Sequence, residues 1–281
     1  MLNATDFLVH AQNHDGGWGY RLNGMSYVEP TAAVLLALTD PTARARGRDL
    51  LLALQHADGG WGIAALDAES GWMTALAVRA LAEFPEARAV VTRGVQWLLA
   101  AEGNRVTEPN ARRITQEMYT MDSTLRAWSW QPGDAAWVHP TALAMLALVA
   151  AGERDHARVR EGVHYLYNRA CPEGGWNSGN PWMLDKKIPA TVQDTAVALL
   201  ALRAANVSSD AWQVTKAIEY LQRAVARAQT PAELAWGTYA LRDRKVDTSG
   251  AIARLNARQS ADGGWSGNPF YTATALLALE G

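Results

Sequence analysis

The residues best suited to acid–base chemistry occupy one recurring position in the sequence. Six apolar segments can be aligned, five on an initial Thr-Ala pair and the sixth on Leu234. The residue two places before that point differs from segment to segment, although its neighbours are repeated, and it is Glu29, Trp72, His139, Gln193, Ala232 or Phe270. A variable position on a constant scaffold is where function is usually placed. This set, with a carboxylate, an imidazole and an amide, therefore indicates a functional site.

Glu29 is the candidate acid of the set. A helix N-terminus stabilises its carboxylate and favours a strong acid, whereas apolar surroundings raise the pKa and keep the proton bound at neutral pH. His139 would orient Glu29 or act as the base that removes the final proton from a substrate. A structural role is the alternative, because a carboxylate just before Pro30 also complements the helix dipole.

Aromatic side chains close to these positions favour an apolar ligand. A cavity lined by Trp, Tyr and Leu excludes water, and each ring face attracts a developing carbocation by about 0.5–2 kcal/mol. Any single ring could instead pack in the core. The candidate substrate-binding residues are Tyr27, Trp72, Trp128, Trp137, Trp182, Gln193, Trp236 and Phe270.

A repeated turn must position these residues. Two adjacent glycines give the turn its backbone freedom, the preceding Asp can bond to local N–H groups, and the Trp supplies a large apolar plate. We interpret the three repeated aspartates, Asp15, Asp58 and Asp262, as structural. The copies are Gln12-Asn-His-Asp-Gly-Gly-Trp18, Gln55-His-Ala-Asp-Gly-Gly-Trp61, Gln259-Ser-Ala-Asp-Gly-Gly-Trp265 and a degraded Cys171-Pro-Glu-Gly-Gly-Trp176.

Two kinds of helix alternate along the chain. The segments that begin with Thr, such as Thr31-Ala-Ala-Val-Leu-Leu-Ala-Leu38, are apolar nearly all round, which is typical of helices buried on every side. The segments between them have one polar face and a period near 3.6. Six of each in alternation predict an all-α fold, an α/α toroid of six helical hairpins with an inner and an outer ring. We expect one such domain over residues 1–281.

The third repeat is longer than the others. The extra residues span about 101–133 and include Asn110–Asp122, for which we predict a helix. A long insertion between repeats is either a lid over one mouth of the ring or a surface decoration.

The Gln-x-x-Asp-Gly-Gly-Trp turns resemble the QW motifs of the superfamily of squalene-hopene cyclases, oxidosqualene cyclases and protein prenyltransferases. The resemblance covers essentially the whole chain as a single barrel. Trp137-Val-His-Pro-Thr-Ala-Leu-Ala144 and Gly174-Gly-Trp-Asn-Ser-Gly-Asn180 also resemble segments of short bacterial members, prenyltransferase and squalene oxidase repeat proteins. The resemblance to this superfamily implies an α/α toroid with a hydrophobic central cavity.

The catalytic motif of the cyclases is only partly present. Their acid is the middle Asp of Asp-x-Asp-Asp-Thr-Ala, and the matching segment here is Thr191-Val-Gln-Asp-Thr-Ala196. Asp194 retains the last Asp, while Gln193 replaces the acid. The zinc site of protein prenyltransferases is not matched either, because Cys171 lies in a turn before Pro172. We therefore predict no metal and no cofactor, with Glu29 as acid supported by His139 and Asp194.

The composition of the chain disfavours some classes of binding partner. The chain is 49% apolar and 19% charged with a formal net charge of −2, which disfavours a nucleic-acid-binding surface. No apolar run approaches the roughly 20 residues needed to cross a bilayer, and the N-terminus lacks a signal-peptide pattern, so a cytoplasmic location is expected. Cys171 is the only cysteine and excludes an intrachain disulfide. The sequence leaves the oligomeric state open.

Three functions compete. The leading hypothesis is a cyclase or isomerase that acts on an apolar, isoprenoid-like chain at the N-terminal mouth of the inner ring. The second is a non-catalytic binder of a hydrophobic ligand or a scaffold for a partner protein, which the missing acid motif favours. The third is a carbohydrate-active toroid, for which paired carboxylates are expected. Its candidate carboxylates are Glu29, Asp122, Asp134 and Asp194.

Overall fold

Thirteen α-helices follow one another in the computed structural model, which describes residues 3–280. A short antiparallel hairpin pairs β1 (Trp182–Met183) with β2 (Lys186–Lys187), and a 3₁₀ turn covers Pro85–Ala87. In chain order the helices are α1 (Ala4–His10), α2 (Val28–Ala37), α3 (Pro41–Ala53), α4 (Met73–Leu81), α5 (Arg88–Ala100), α6 (Pro109–Tyr119), α7 (Val138–Ala150), α8 (Ala157–Asn168), α9 (Val192–Ala204), α10 (Trp212–Arg227), α11 (Pro231–Asp243), α12 (Ser249–Asn256) and α13 (Pro269–Glu280).

Six of these helices form a closed inner ring. Helices α2, α4, α7, α9, α11 and α13 each pack against the next, and α13 returns to α2. The outer helices α1, α3, α5, α8, α10 and α12 lie against them from outside. An inner helix therefore has neighbours on both flanks and at its back, which explains why it is apolar nearly all round. The predicted all-α, α/α toroid is confirmed.

The repeated turn joins five of the six outer helices to the following inner helix through the same tryptophan hydrogen bonds. The Trp61 backbone N–H donates to Thr74 Oγ1 (3.0 Å), and its indole N–H donates to the Leu51 carbonyl (2.7 Å). Asp58 accepts the N–H of Gly60 (2.9 Å). These bonds satisfy polar groups inside the core, where unpaired ones would destabilise the fold. The other pairs of Trp with Thr are Trp18–Thr31, Trp128–Thr141, Trp176–Thr195 and Trp265–Thr272.

The turns also place the N-termini of the inner helices on one face. The Val28 N–H donates to Ile63 O (3.0 Å), the Trp72 N–H to Trp130 O (3.0 Å), and the Val138 N–H to Ser178 O (2.9 Å). Each bond ties the start of one inner helix to the turn that precedes the next. We call this face of the ring the N-terminal mouth.

The insertion in the third repeat folds beside this face. Its helix, α6, is present as the sequence predicts, and the structure buries none of its residues. The helix packs against β1, where the Leu184 N–H donates to the Met118 carbonyl (3.1 Å). After α6 the chain is held to the end of α8, because the Asp122 N–H donates to Asn168 Oδ1 (3.0 Å). Whether α6 acts as a lid stays a prediction.

Cys171 lies inside one of the turns. Its thiol is buried, and burial raises the pKa to about 11. A thiol in this state is a packing group, not a nucleophile. The described helices include none that combines the length and the apolarity needed to cross a membrane.

Candidate active site

The threonines define which side chains point to the axis of the ring. Each bonded Thr faces the outer turn, so positions two before, two after and five after it lie on the opposite side of the helix, at about 100° per residue. This gives three layers across the ring. The first layer is Glu29, Trp72, His139, Gln193, Ala232 and Phe270; the second is Ala33, Leu76, Leu143, Val197, Trp236 and Thr274; the third is Leu36, Arg79, Leu146, Leu200, Tyr239 and Leu277.

A contact across the ring supports this register. Arg79 Nη2 lies 3.3 Å from the hydroxyl oxygen of Tyr239 and donates to it. The two residues belong to α4 and α11, which stand on opposite sides of the ring. Both side chains must therefore point inwards.

Glu29 is held by a residue that the sequence analysis did not select. The Tyr20 hydroxyl donates a hydrogen bond to Glu29 Oε2. Burial raises the pKa of Glu29 above its ordinary value, while the bond from Tyr20 and the charge that His139 can carry both lower it. Burial also raises the pKa of Tyr20, so its hydroxyl remains a donor at neutral pH. Tyr20 in turn packs between Tyr27 (5.1 Å between ring centroids) and Phe270 (5.9 Å).

His139 pairs with Asp194 and not with Glu29. Its Nδ1 lies 3.2 Å from Asp194 Oδ1, and both side chains are largely buried. The second carboxylate oxygen of Asp194 accepts from the Thr191 hydroxyl (2.9 Å), which also caps α9. With Nδ1 engaged, Nε2 of His139 is the nitrogen that can exchange a proton with a ligand. The residue that orients Glu29 is thus Tyr20, while His139 acts on Glu29 only through its charge.

An aromatic wall borders the imidazole. Trp130 stacks on His139 with 5.3 Å between centroids and 22° between planes. Trp72 meets Trp130 edge to face at 4.8 Å, and its ring centroid is 6.3 Å from that of His139. Behind these two tryptophans a recess of about 260 Å³ opens between α4, α5 and α7. It lies beside the axis on which the sequence places the cavity.

The structure places the remaining predicted binding residues at different depths. Tyr27 and Trp137 immediately precede α2 and α7, half-buried at the mouth, and Gln193 is exposed there. Trp236 lies in the second layer. Trp182 is in the hairpin beside α6.

Trp128 has a structural position. It is 3% exposed, its backbone N–H donates to Thr141 Oγ1 (3.2 Å) and its indole N–H to the Leu98 carbonyl (2.8 Å). These are the bonds of the repeated turn, so Trp128 is the turn tryptophan of the third repeat. It is also one of the residues that line the recess.

Tyr20 and Trp130 are the site residues that the sequence analysis missed. Both follow the tryptophan of a turn by two residues. A signal was therefore available, because this second position after each turn tryptophan varies along the chain while the turn does not. The other residues at this position are Ile63, Ser178 and Gly267.

The site offers acid–base groups. Within residues 3–280, no three His, Cys, Asp or Glu side chains are arranged to hold a metal ion. What the mouth does combine is a carboxylic acid with a raised pKa, an imidazole–carboxylate pair and several aromatic faces. These groups can donate a proton, accept one and stabilise a cation between the two steps.

Similar folds occur among solved structures, although no family model and no curated protein sequence matches the chain. Type II terpene cyclase MstE from Scytonema, a variant in complex with geranylgeranyl dihydroxybenzoate as substrate, aligns with a TM-score of 0.70 at 16% identity. The alignment covers 98% of this chain and 94% of that one. An α-amylase from Clostridium perfringens aligns with a TM-score of 0.65 at 11% identity, over 98% of this chain and 96% of that one. A protein from Actinoplanes aligns with a TM-score of 0.64 at 18% identity over the same shares. The chain has the terpene-cyclase-like toroid fold.

The raised pKa of Glu29 predicts a pH-dependent effect on stability. A carboxyl whose pKa is higher in the folded state favours folding while it is protonated, and this contribution is lost as the pH rises through the folded pKa. Because glutamine does not ionise, the Glu29→Gln variant does not lose stability at this position as the pH rises. We expect the variant's free energy of unfolding to increase relative to wild type as the pH rises above about 4, measured by urea unfolding. The exposed Glu69→Gln is the control and should show no such trend; a flat profile for both would mean that Glu29 is not desolvated.

Proposed function

We propose that this protein is a terpene-cyclase-like enzyme that cyclises or isomerises an apolar, isoprenoid chain by acid–base chemistry. The observation that carries the proposal is the arrangement at the N-terminal mouth, where the protonatable Glu29 and the His139–Asp194 pair share one rim. Tyr20, Trp72, Trp130 and Phe270 supply ring faces around it. The toroid shared with a type II terpene cyclase agrees with the proposal.

The proposed reaction begins with proton transfer from Glu29. The carboxylic acid gives its proton to an alkene carbon, a C–H bond forms and the neighbouring carbon becomes a tertiary cation. Burial raises the pKa of Glu29 and so favours the protonated form that this step requires. The Tyr20 hydrogen bond then stabilises the carboxylate that remains, since it favours the charged form.

Ring closure and proton loss complete the cycle. The π electrons of a second alkene attack the cation and form a C–C bond, which moves the positive charge to another carbon. His139 accepts a proton from the carbon next to that one at Nε2, and the C–H electrons form a new alkene. Asp194 stabilises the resulting imidazolium from Nδ1. The product is an isomer of the substrate, and both catalytic protons exchange with solvent.

The departure from the cyclase motif fits this assignment of roles. Gln193 is exposed at the mouth and cannot act as an acid, and Asp194 already accepts bonds from Thr191 and His139. Glu29 is the carboxyl group of the first layer whose pKa is raised. The acid has therefore moved from α9 to α2, which faces it across the ring.

Isotope incorporation tests the proposal. We expect incubation in D₂O with linear isoprenoids, including geranylgeraniol and geranylgeranyl dihydroxybenzoate, to give a cyclic isomer that carries one added deuterium at the protonated carbon. Mass spectrometry detects the added mass and NMR locates it. Product without deuterium would exclude proton-initiated chemistry.

The two alternatives have their own outcomes. If every isoprenoid that binds is recovered unchanged and undeuterated, the protein is a binder of hydrophobic ligands. A carbohydrate-active enzyme is favoured by two carboxylates, Glu29 and Asp194, on opposite helices of one mouth and by the fold shared with an α-amylase. Release of reducing ends from maltooligosaccharides would support it. The aromatic wall around an imidazole favours the cyclase.

A further inference from the structure

The third layer of the ring contains one charged side chain. Arg79 lies among Leu36, Leu146, Leu200 and Leu277, and its observed hydrogen bond is to the neutral hydroxyl of Tyr239 at 3.3 Å. A guanidinium group has five N–H donors. In the part of the chain between residues 3 and 280, Arg79 forms no ion pair within 4 Å. A partly buried cation in an apolar layer with one neutral partner has unused capacity to bind an anion.

The surrounding charges do not compensate Arg79. The nearby carboxyl group is Asp243 at the end of α11, which also faces Arg203 (3.7 Å between Nε and Oδ2) and Arg244. Burial raises the pKa of Asp243 although all three arginines lower it. Arg244 Nη2 donates to the Leu199 carbonyl (3.0 Å), so it is engaged with α9. Three guanidinium groups thus share one carboxyl group at this end of the ring.

The axis between Arg79 and the mouth is apolar and not fully packed. The second layer consists of aliphatic side chains, Thr274 and Trp236. Ala33, Leu36, Trp236 and Leu277 are partly exposed, whereas the other aliphatic side chains of the second and third layers are buried. The first and third layers are seven residues apart, which is about 10 Å along a helix axis. A short apolar chain can span that distance.

We propose that Arg79, assisted by Tyr239, binds the carboxylate of an isoprenoid acid whose hydrocarbon chain extends along the axis towards Glu29. A planar guanidinium matches a carboxylate in two parallel hydrogen bonds. A diphosphate fits less well than a carboxylate, because one guanidinium group beside Asp243 does not offset its larger negative charge. The inference rests on the proposed function and adds to it the chemical class of the substrate's polar end. Anchoring that end fixes the distance from the far alkene to the acid, so Arg79 selects chain length as well as charge.

Binding measurements separate this role from a structural one. The probes are geranic acid and farnesoic acid, each compared with its primary amide by calorimetric titration at about pH 8, where the acids are ionised. We expect wild type to bind at least one acid more tightly than its amide. Arg79→Gln should weaken binding of that acid by about 10- to 100-fold, the usual size of a charge-assisted hydrogen bond, and leave the amide nearly unchanged. Tyr239→Phe should give a smaller loss in the same direction.

Arg203→Gln is the matched control. Arg203 is half-exposed at the same end of the ring, outside the axis-facing register, and should leave both affinities unchanged. Equal loss of acid and amide in Arg79→Gln would show that Arg79 only supports the fold. No preference of wild type for either acid, or an Arg203→Gln effect as large as that of Arg79→Gln, would also overturn the inference. Turnover is a separate readout: Arg79-dependent acid binding without deuterated product would leave this inference standing and reject the cyclase.

Discussion

Replacing Glu29 by glutamine should reduce turnover by about 10²- to 10⁴-fold, the usual contribution of a placed proton donor. Glutamine keeps the shape of the side chain and can still accept the Tyr20 hydrogen bond, but it has no acidic proton. The affinity for the ligand should change little, because the loss concerns the transition state. The measurement is kcat for the isoprenoid identified in D₂O, together with its dissociation constant by calorimetry.

Two companion variants assign the roles around Glu29. Tyr20→Phe removes the bond that lowers the pKa of Glu29, so the pH at which activity falls on the alkaline side should rise. Asp194→Asn should impair the proton-accepting step by loosening His139, while binding is retained. Normal turnover by Glu29→Gln would reject Glu29 as the acid, and Asp194 would then be the next carboxyl group to test.

The fold could be predicted from the sequence because the same contacts recur. The threonine that aligns the apolar segments is the acceptor of the tryptophan N–H in five turns, so the alignment reflects a hydrogen bond. The same alignment predicted that Glu29 and His139 lie at one level of the ring, at its N-terminal mouth. A repeat constrains backbone position, and these two predictions required only backbone position.

Side-chain partners could not be predicted in the same way. Helix α7 packs against α9 and not against α2, which favours Asp194 over Glu29 as the partner of His139, but the rotamers of both side chains decide whether the bond forms. Tyr20 and Trp130 lie in loops that have no helical period, although both follow a turn tryptophan by two residues. The role of Trp128 was hidden because Ser123-Thr-Leu-Arg-Ala127 precedes it in place of the Gln-x-x-Asp-Gly-Gly pattern. Its 13-residue separation from Thr141, shared with two other repeats, was the remaining signal.

The position of the cavity depends on how much space each side chain fills. The alignment of the repeats gives the level of a residue along the ring axis but not that volume. Trp236 occupies the second layer, where the other residues are smaller, and fills part of the axis. Trp130 leans over His139 and separates the mouth from the recess beside α5. A sequence alignment places these rings at a height but does not show how far they reach across the ring.

Removing one turn tryptophan should cost as much stability as a large core deletion. Trp61 is fully buried, donates both of its N–H groups and packs against Gly94, where an added Cβ would lie 2.9 Å from its ring. Trp61→Ala should lower the free energy of unfolding by about 3–5 kcal/mol, because it leaves a cavity and an unpaired Leu51 carbonyl. Denaturant unfolding followed by far-UV circular dichroism measures the change.

Two matched variants separate the turn from tryptophan content in general. Thr74→Val keeps the size of the side chain but removes the acceptor of the Trp61 N–H, and should cost about 1–3 kcal/mol. Trp212→Ala removes a ring that is 55% exposed at the start of α10 and should change stability by less than about 0.5 kcal/mol. We expect the loss in free energy of unfolding to decrease from Trp61→Ala to Thr74→Val to Trp212→Ala. Because the same bonds join five of the six hairpins, the loss in Trp61→Ala indicates how much stability one such turn contributes. Equal losses for Trp61→Ala and Trp212→Ala would show that the turns do not fasten the rings together.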